Sequence, residues 1–257
     1  MATENVGMRR RGSQIALAVI VIVIAVLLYN RLFGGGNGDD STSTNGNGER
    51  SAPVNDEVTT TFADPSHPVE PTCPAEDGSS PRAVQFTAPP PMCIDPSVTY
   101  VATVTTTRGF FEITLDAGSA PLAVNNFIFL ARWHYYEGVG FHRIIPDFVV
   151  QTGDPIGPIG YGNPGYTFAD ELPTSGPPFY PLMSLAMANS GPDTNGSQFF
   201  IVIGARGEQL PAKYTRFGSV TAGVPVVEDI AGTADPDAPK GEPKPDDLTV
   251  IESITVR

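Results

Sequence analysis

Residues 141–154 read FHRIIPDFVVQTGD. Two β-forming runs, FHRII and DFVVQ, flank a proline and an aspartate, so the segment predicts strand, tight reversal, strand. Such a segment belongs in a core, yet it carries Arg143, and arginine is rarely fully buried without a partner. Either Arg143 pairs with Asp147 or Asp154 at the surface, or it serves a site that needs a cation against apolar walls.

Working outward, the flanking sequence keeps the same rhythm. TYVATVTT at 99–106 and FFEITLD at 110–116 are β-forming runs broken by Thr107-Arg108-Gly109, a hairpin signal with glycine in the turn. Pro121 then opens PLAVNNFIFLARWHYY, where Val124, Phe127, Leu130 and Ala131 recur at helical spacing and Gly138 ends the segment. After FHRII and DFVVQ come LMSLAMA, SQFFIVI, FGSV and LTVIESITV, short apolar runs between Gly, Pro and Asn loops, with a second short helix predicted at VPVVEDIA, 224–231. Many short strands and two helices over residues 98–257 predict a mainly β domain, a closed antiparallel barrel capped by the helices.

The rest of the chain differs. Of 257 residues, Lys+Arg number 15 and Asp+Glu 28, so the net charge is 15 − 28 = −13, which argues against a nucleic-acid partner. Residues 1–12 form a basic N-terminus with Arg9-Arg10-Arg11, and the chain is then uncharged from Gly12 to Asn30, with an apolar run from Ile15 to Leu28. With no A-x-A-like cleavage site after it, residues 13–33 predict an uncleaved transmembrane signal anchor. The arginines leave the N-terminus cytoplasmic and the domain outside; the alternative is a secreted protein released by cleavage. Residues 34–68, rich in Gly, Asn, Ser, Thr and acid, predict a flexible linker. Residues 69–97 form a proline-rich arm with the only two cysteines, Cys73 and Cys93. An even count outside the cytoplasm predicts a disulfide; two free thiols are the alternative, and C-x2-C zinc spacing is absent.

Several motifs carry no chemistry. GYGNPG at 160–165 fits G-x-G-x-x-G, but Pro164 prevents the helix that a dinucleotide fingerprint needs. Asn195-Gly196-Ser197 is a glycosylation sequon running directly into the apolar QFFIVI, a poor place for a glycan. No G-x-S-x-G elbow occurs, and His67, His134 and His142 lack metal-ligand spacing. A nucleophilic enzyme is disfavoured.

Three blocks together are specific: FHRIIPDFVVQTGDP at 141–155, MANSGPDTNGSQFFI at 187–201 and LPAKYTRFGSV at 210–220. With APLAVNNF and GYTFADE they resemble the cyclophilins, peptidyl-prolyl cis-trans isomerases, over about residues 98–257. The resemblance implies an eight-stranded antiparallel barrel closed by two helices, with its site on the outer face. It implies Arg143 at the catalytic arginine position. Phe148, Phe200 and Leu210 would form the proline pocket, and Gln151 and Gln198 would be polar site residues. The backbone of Asn189 would hold substrate, with Ala188 and Ser190 beside it. Val149 stands where methionine is common, Tyr214 where histidine is frequent, and Gln209 where cyclosporin-sensitive members carry tryptophan, so weak cyclosporin binding is expected.

The implied reaction needs no covalent step, metal or cofactor. Its partners are proline-containing polypeptides, exported or in the cell envelope, and the chain is read as a monomer. The rival from another class is a non-catalytic adaptor or holdase using the same groove.

Overall fold

The computed structural model describes residues 68–155, 163–238 and 240–257. The basic N-terminus, the anchor expected at 13–33, nearly all of the linker expected at 34–68, and His67 lie outside the described residues. Among the described residues no helix is long and apolar enough to cross a membrane.

Eight strands form one antiparallel sheet: β1 (Tyr100–Thr106), β2 (Gly109–Leu115), β3 (Arg143–Ile145), β4 (Val149–Thr152), β5 (Ser184–Met187), β6 (Phe199–Val202), β7 (Arg216–Ala222) and β8 (Ile251–Val256). Their order is β3-β4-β6-β5-β7-β2-β1-β8. Among the described residues three helices accompany them: α1 (Pro121–Arg132), α2 (Ala205–Glu208) and α3 (Val224–Ala231), with a 3-10 turn at Pro245–Asp247. The sequence pattern gives α3 to the residue and misses α2, one turn long and too short for a periodicity.

The sheet is curled but is not the closed barrel expected from the sequence. Its edges, β3 and β8, do not pair along their length; one bridge, Gly140–Val250, joins the chain just ahead of each. The physical reason lies in the loop after α3. Ile144 N donates to the Gly241 carbonyl, so a loop rather than β8 covers the free edge of β3. Gly241 has φ +82°, and a Cβ there would meet Ile145 Cγ1 at 2.8 Å, so only glycine lets the loop lie this close.

Both faces of the sheet are covered near β4, β5 and β6, which explains the unbroken apolar runs FFIV and SLAM. Side chains alternate across a strand. Phe199 and Ile201 enter the main core with Val150, Leu185 and Met187. Phe200 and Val202 point the other way and cluster with Val149, Tyr180 and Ala186. That second cluster is the floor of the site.

Helix α1 lies against the main core and is buried almost all round, from Ala123 to Ala131. Its outer side is covered by the arm, whose Ala83, Phe86 and Ile94 join the main core. The helix ends before the expected Gly138. His134 adopts φ 54°, His134 N donates to Ala131 O and Tyr135 N to Leu130 O, which is a Schellman termination. Ala120 at its N-cap makes no side-chain cap hydrogen bond. Glu171 does that work from a distant loop, its two carboxylate oxygens each accepting at 3.0 Å from Leu122 N and Ala123 N. Cys73 and Cys93 are joined in a disulfide with Cα atoms 5.4 Å apart.

Candidate active site

The site is built on the β3–β4–β6 corner. Arg143 and Gln151 are direct partners across β3–β4, and Gln151 in turn pairs with Phe200 on β6. Asp147, at φ 57°, makes the reversal between β3 and β4, and its Oδ1 accepts from Ala205 N at 2.9 Å, fixing the turn to the start of α2. Phe148 emerges from this turn beside Arg143, whose Cζ lies 5.9 Å from the ring centroid.

Two cavities adjoin. The smaller, about 220 Å³, is lined by Arg143, Phe148, Val149, Gln151, Ala188, Asn189, Phe200, Leu210 and Tyr214. The larger, about 430 Å³, shares Gln151, Ala188 and Asn189 and is completed by polar, uncharged groups including Ser190, Thr194 and Gln198. Every residue the sequence nominated for the groove thus lines one cavity or the other. Gln209 is exposed at the end of α2, beside Leu210 but not among the lining groups.

A chain of side-chain hydrogen bonds runs along the floor. Arg143 Nη1 donates to Gln151 Oε1 at 3.2 Å, Gln151 Nε2 to Gln198 Oε1 at 2.8 Å, and Gln198 Nε2 to Asp154 Oδ2 at 3.3 Å. A guanidinium only donates and a carboxylate only accepts, so the two ends force both amides into one orientation. Burial pulls the Arg143 pKa down and the neighbouring Tyr214 opposes this; a guanidinium so placed still keeps its charge. His142, one residue away, is held below the usual histidine range chiefly by burial.

The far wall depends on a residue the sequence did not single out. Tyr180 is fully buried, and its hydroxyl donates to Tyr214 O at 2.9 Å while accepting from Tyr214 N at 2.9 Å and Lys213 N at 3.2 Å. The Tyr214 ring then stands edge-on to Phe200, centroids 5.3 Å apart. Tyr180 sits in a proline-rich loop without periodicity, so no pattern marks it. Asn189 turns its carboxamide away from the groove, onto the Lys213 carbonyl at 2.9 Å. Asn195 of the sequon is fully buried, its amide nitrogen on Asp170 Oδ1 at 2.8 Å.

The arrangement is a pocket of ring size in which Phe148, Val149, Phe200 and Leu210 stand beside two amide residues and one cation. The family described as cyclophilin type peptidyl-prolyl cis-trans isomerase/CLD matches residues 100–256. The peptidyl-prolyl cis-trans isomerase A of Mycobacterium tuberculosis is 42% identical, over 63% of this chain and 94% of that one. Isomerase B of Streptomyces anulatus is 43% identical, over 60% of this chain and 95% of that one. Among solved structures, a Cryptosporidium parvum cyclophilin type peptidyl-prolyl cis-trans isomerase superposes with a TM-score of 0.56 at 29% identity, covering 62% of this chain and 98% of that one. The chain belongs to the cyclophilin type peptidyl-prolyl cis-trans isomerase family, and it is a peptidyl-prolyl cis-trans isomerase.

Proposed function

We propose that the smaller cavity holds the proline ring and that Arg143 is the catalytic group. A prolyl bond must twist through a state without amide resonance, over a barrier of about 18–20 kcal/mol. In that state the proline nitrogen regains a lone pair. A donor aimed at it binds the twisted bond better than either planar form, which is what accelerates the step. A millionfold acceleration requires about 8 kcal/mol of such preference.

The observation that carries this reading is one cation on the wall of a pocket with aromatic and aliphatic sides, tied through two amides to buried Asp154. A guanidinium has five N–H donors, so the bond to Gln151 does not exhaust it. Phe148, Phe200, Leu210 and Tyr214 hold the ring still while the preceding carbonyl swings; the Asn189 backbone steadies the substrate chain. The test is exchange NMR on an Ala-Pro peptide with Arg143→Ala. A rate within about twofold of wild type overturns the assignment and favours the adaptor.

The clients we propose are exported or cell-envelope proteins. The support is sequence: the basic cluster Arg9-Arg10-Arg11 ahead of an uncharged run points to a membrane-tethered domain outside the cytoplasm. A tether of 34–57 would reach on the order of 25–30 Å in root-mean-square length. Protease added to spheroplasts should release the domain and leave a membrane-bound stub; mature protein in the medium starting after residue 25 overturns the anchor.

A further inference from the structure

The arm, residues 69–97, precedes the part of the chain that the family matches, and it reaches the wall of the larger cavity. Phe86 is 1% exposed, with ring centroids 4.8 Å from Phe129 and 6.4 Å from Tyr166. Its N–H donates to Pro164 O at 2.8 Å, and Gln85 Nε2 donates to Asn163 O at 2.9 Å. A Cβ on Gly165, at φ +98°, would stand 2.2 Å from the Phe86 carbonyl, so the two backbones are packed as closely as glycine permits. Asn163 lines the larger cavity.

A second route leads to the same wall, where a Cβ on Gly196 would stand 3.7 Å from Asn163 Cβ. The Tyr166 hydroxyl donates to Asn126 Oδ1 at 2.6 Å, and Asn126 Nδ2 donates to the carbonyl of Gly196, another lining residue, at 2.8 Å. The arm itself is closed by the Cys73–Cys93 disulfide and seated on α1, where Cys93 N donates to Asn125 Oδ1 at 2.7 Å. Among the described residues no hydrogen bond or ring contact joins the arm to Arg143, Phe148, Phe200 or Tyr214.

We propose that the disulfide-closed arm is a specificity element: it sets the shape of the larger cavity and so selects the residues flanking the proline, without entering the isomerisation step. The proposal rests on the proline ring occupying the smaller cavity. A residue spans about 3.3–3.6 Å of extended chain, so a neighbour of that proline falls into the adjoining space. The lining there, with Asn163, Thr167, Ser190, Thr194 and Gln198, favours a polar, uncharged side chain able to exchange hydrogen bonds. Gln85 and the cystine are positioning groups for that wall.

The experiment compares the full chain with Gln85→Ala and with the double variant Cys73→Ser, Cys93→Ser. The probes are an Ala-Pro dipeptide and two octapeptides with a central Ala-Pro flanked either by serine and asparagine or by leucine. Exchange NMR gives kcat and KM for each. Both variants should turn over the dipeptide at the wild-type rate. Their preference for the polar-flanked over the leucine-flanked octapeptide should fall by about fivefold or more, through KM. An unchanged preference, or an equal loss on all three peptides, overturns the arm's role. Wild-type inactivity on the dipeptide would instead overturn the pocket assignment itself, so the two failures are told apart.

Discussion

Arg143 and Gln151 face each other across the β3–β4 ladder, and the guanidinium donates to the Gln151 amide oxygen at 3.2 Å. That bond orients the cation only while the amide stays turned. Its orientation is set from both ends, by the donor-only guanidinium and by the carboxylate of Asp154 accepting from Gln198. Asp154→Asn replaces the acceptor-only end with a group that can also donate, so only the guanidinium is left to hold the two amides in one orientation. The expected result is a fall in kcat of about tenfold with KM nearly unchanged, because the pocket for the ring is untouched. Steady-state exchange NMR decides it, and an unaltered kcat would show that the chain does not position Arg143.

Tyr180 offers a second handle on positioning. Its hydroxyl holds three backbone groups of the 213–214 turn, and Tyr180→Phe leaves them without that partner in a partly buried place. The loss should lower stability by about 1 kcal/mol. It should also raise KM for Ala-Pro peptides, since the Tyr214 ring loses its fixed stance against Phe200. Denaturant unfolding gives the first number and exchange NMR the second. A variant as stable as wild type would mean that water replaces the hydroxyl.

These cases show what the sequence makes legible. Arg143 stands out because a cation in an apolar run violates an expectation, and MANSGPDTNGSQFFI is recognisable as a block. Strand alternation and α3 follow from local pattern. The open edge does not, because it depends on Gly241, about a hundred residues from β3 in sequence, taking the place of β8. Phe86 is equally silent: one aromatic in proline-rich text gives no sign that it fills the space over Phe129. Residues whose role comes from long-range contact leave no local period to read.

The two described histidines should respond to pH with opposite sign. His142 is pushed below the usual value, chiefly by burial. The unfolded chain then binds the proton more readily, so its contribution is present above about pH 6.5 and is lost below it. For His134 burial also opposes the charge, but Glu137 at 2.6 Å on Nδ1 and the Gly78 carbonyl at 2.9 Å on Nε2 overcome it, and the pKa is raised. Its contribution is full below about pH 6.5 and is lost as pH rises through the higher folded value. Arg82, which donates to the His134 and Glu137 carbonyls, weakens but does not reverse the shift. The Tm difference between wild type and His134→Gln should therefore shrink from pH 6 to pH 8. A difference independent of pH would place the role of His134 in its neutral form.

Gln209 bears on cyclosporin. It is exposed at the C-cap of α2, next to Leu210 of the pocket. An indole there would add on the order of 80 Å² of apolar contact to a bound macrocycle, about 2 kcal/mol or roughly thirtyfold in affinity. Wild type should bind weakly by calorimetry, and Gln209→Trp should recover most of that factor. Tight binding by wild type would remove the position from the account.

The last prediction separates charge from shape at the catalytic pocket. Arg143→Ala should cut the exchange rate on an Ala-Pro peptide by about two to three orders of magnitude, roughly 3–4 kcal/mol, the size of one lost oriented donor. Arg143→Lys should recover only part of this. An ammonium keeps the charge but not the planar fork that meets Gln151 and the proline nitrogen together. KM should change little in either variant, since Phe148, Phe200 and Leu210 still enclose the ring. Phe200→Ala should behave differently. Phe200 is 4% exposed and packs edge-on to Tyr214, so its loss opens the floor of the pocket, weakening binding together with the rate. If Arg143→Lys matches wild type, position-independent charge is enough and the fork is not needed; if Arg143→Ala raises KM as much as it lowers kcat, the arginine binds substrate rather than the twisted bond.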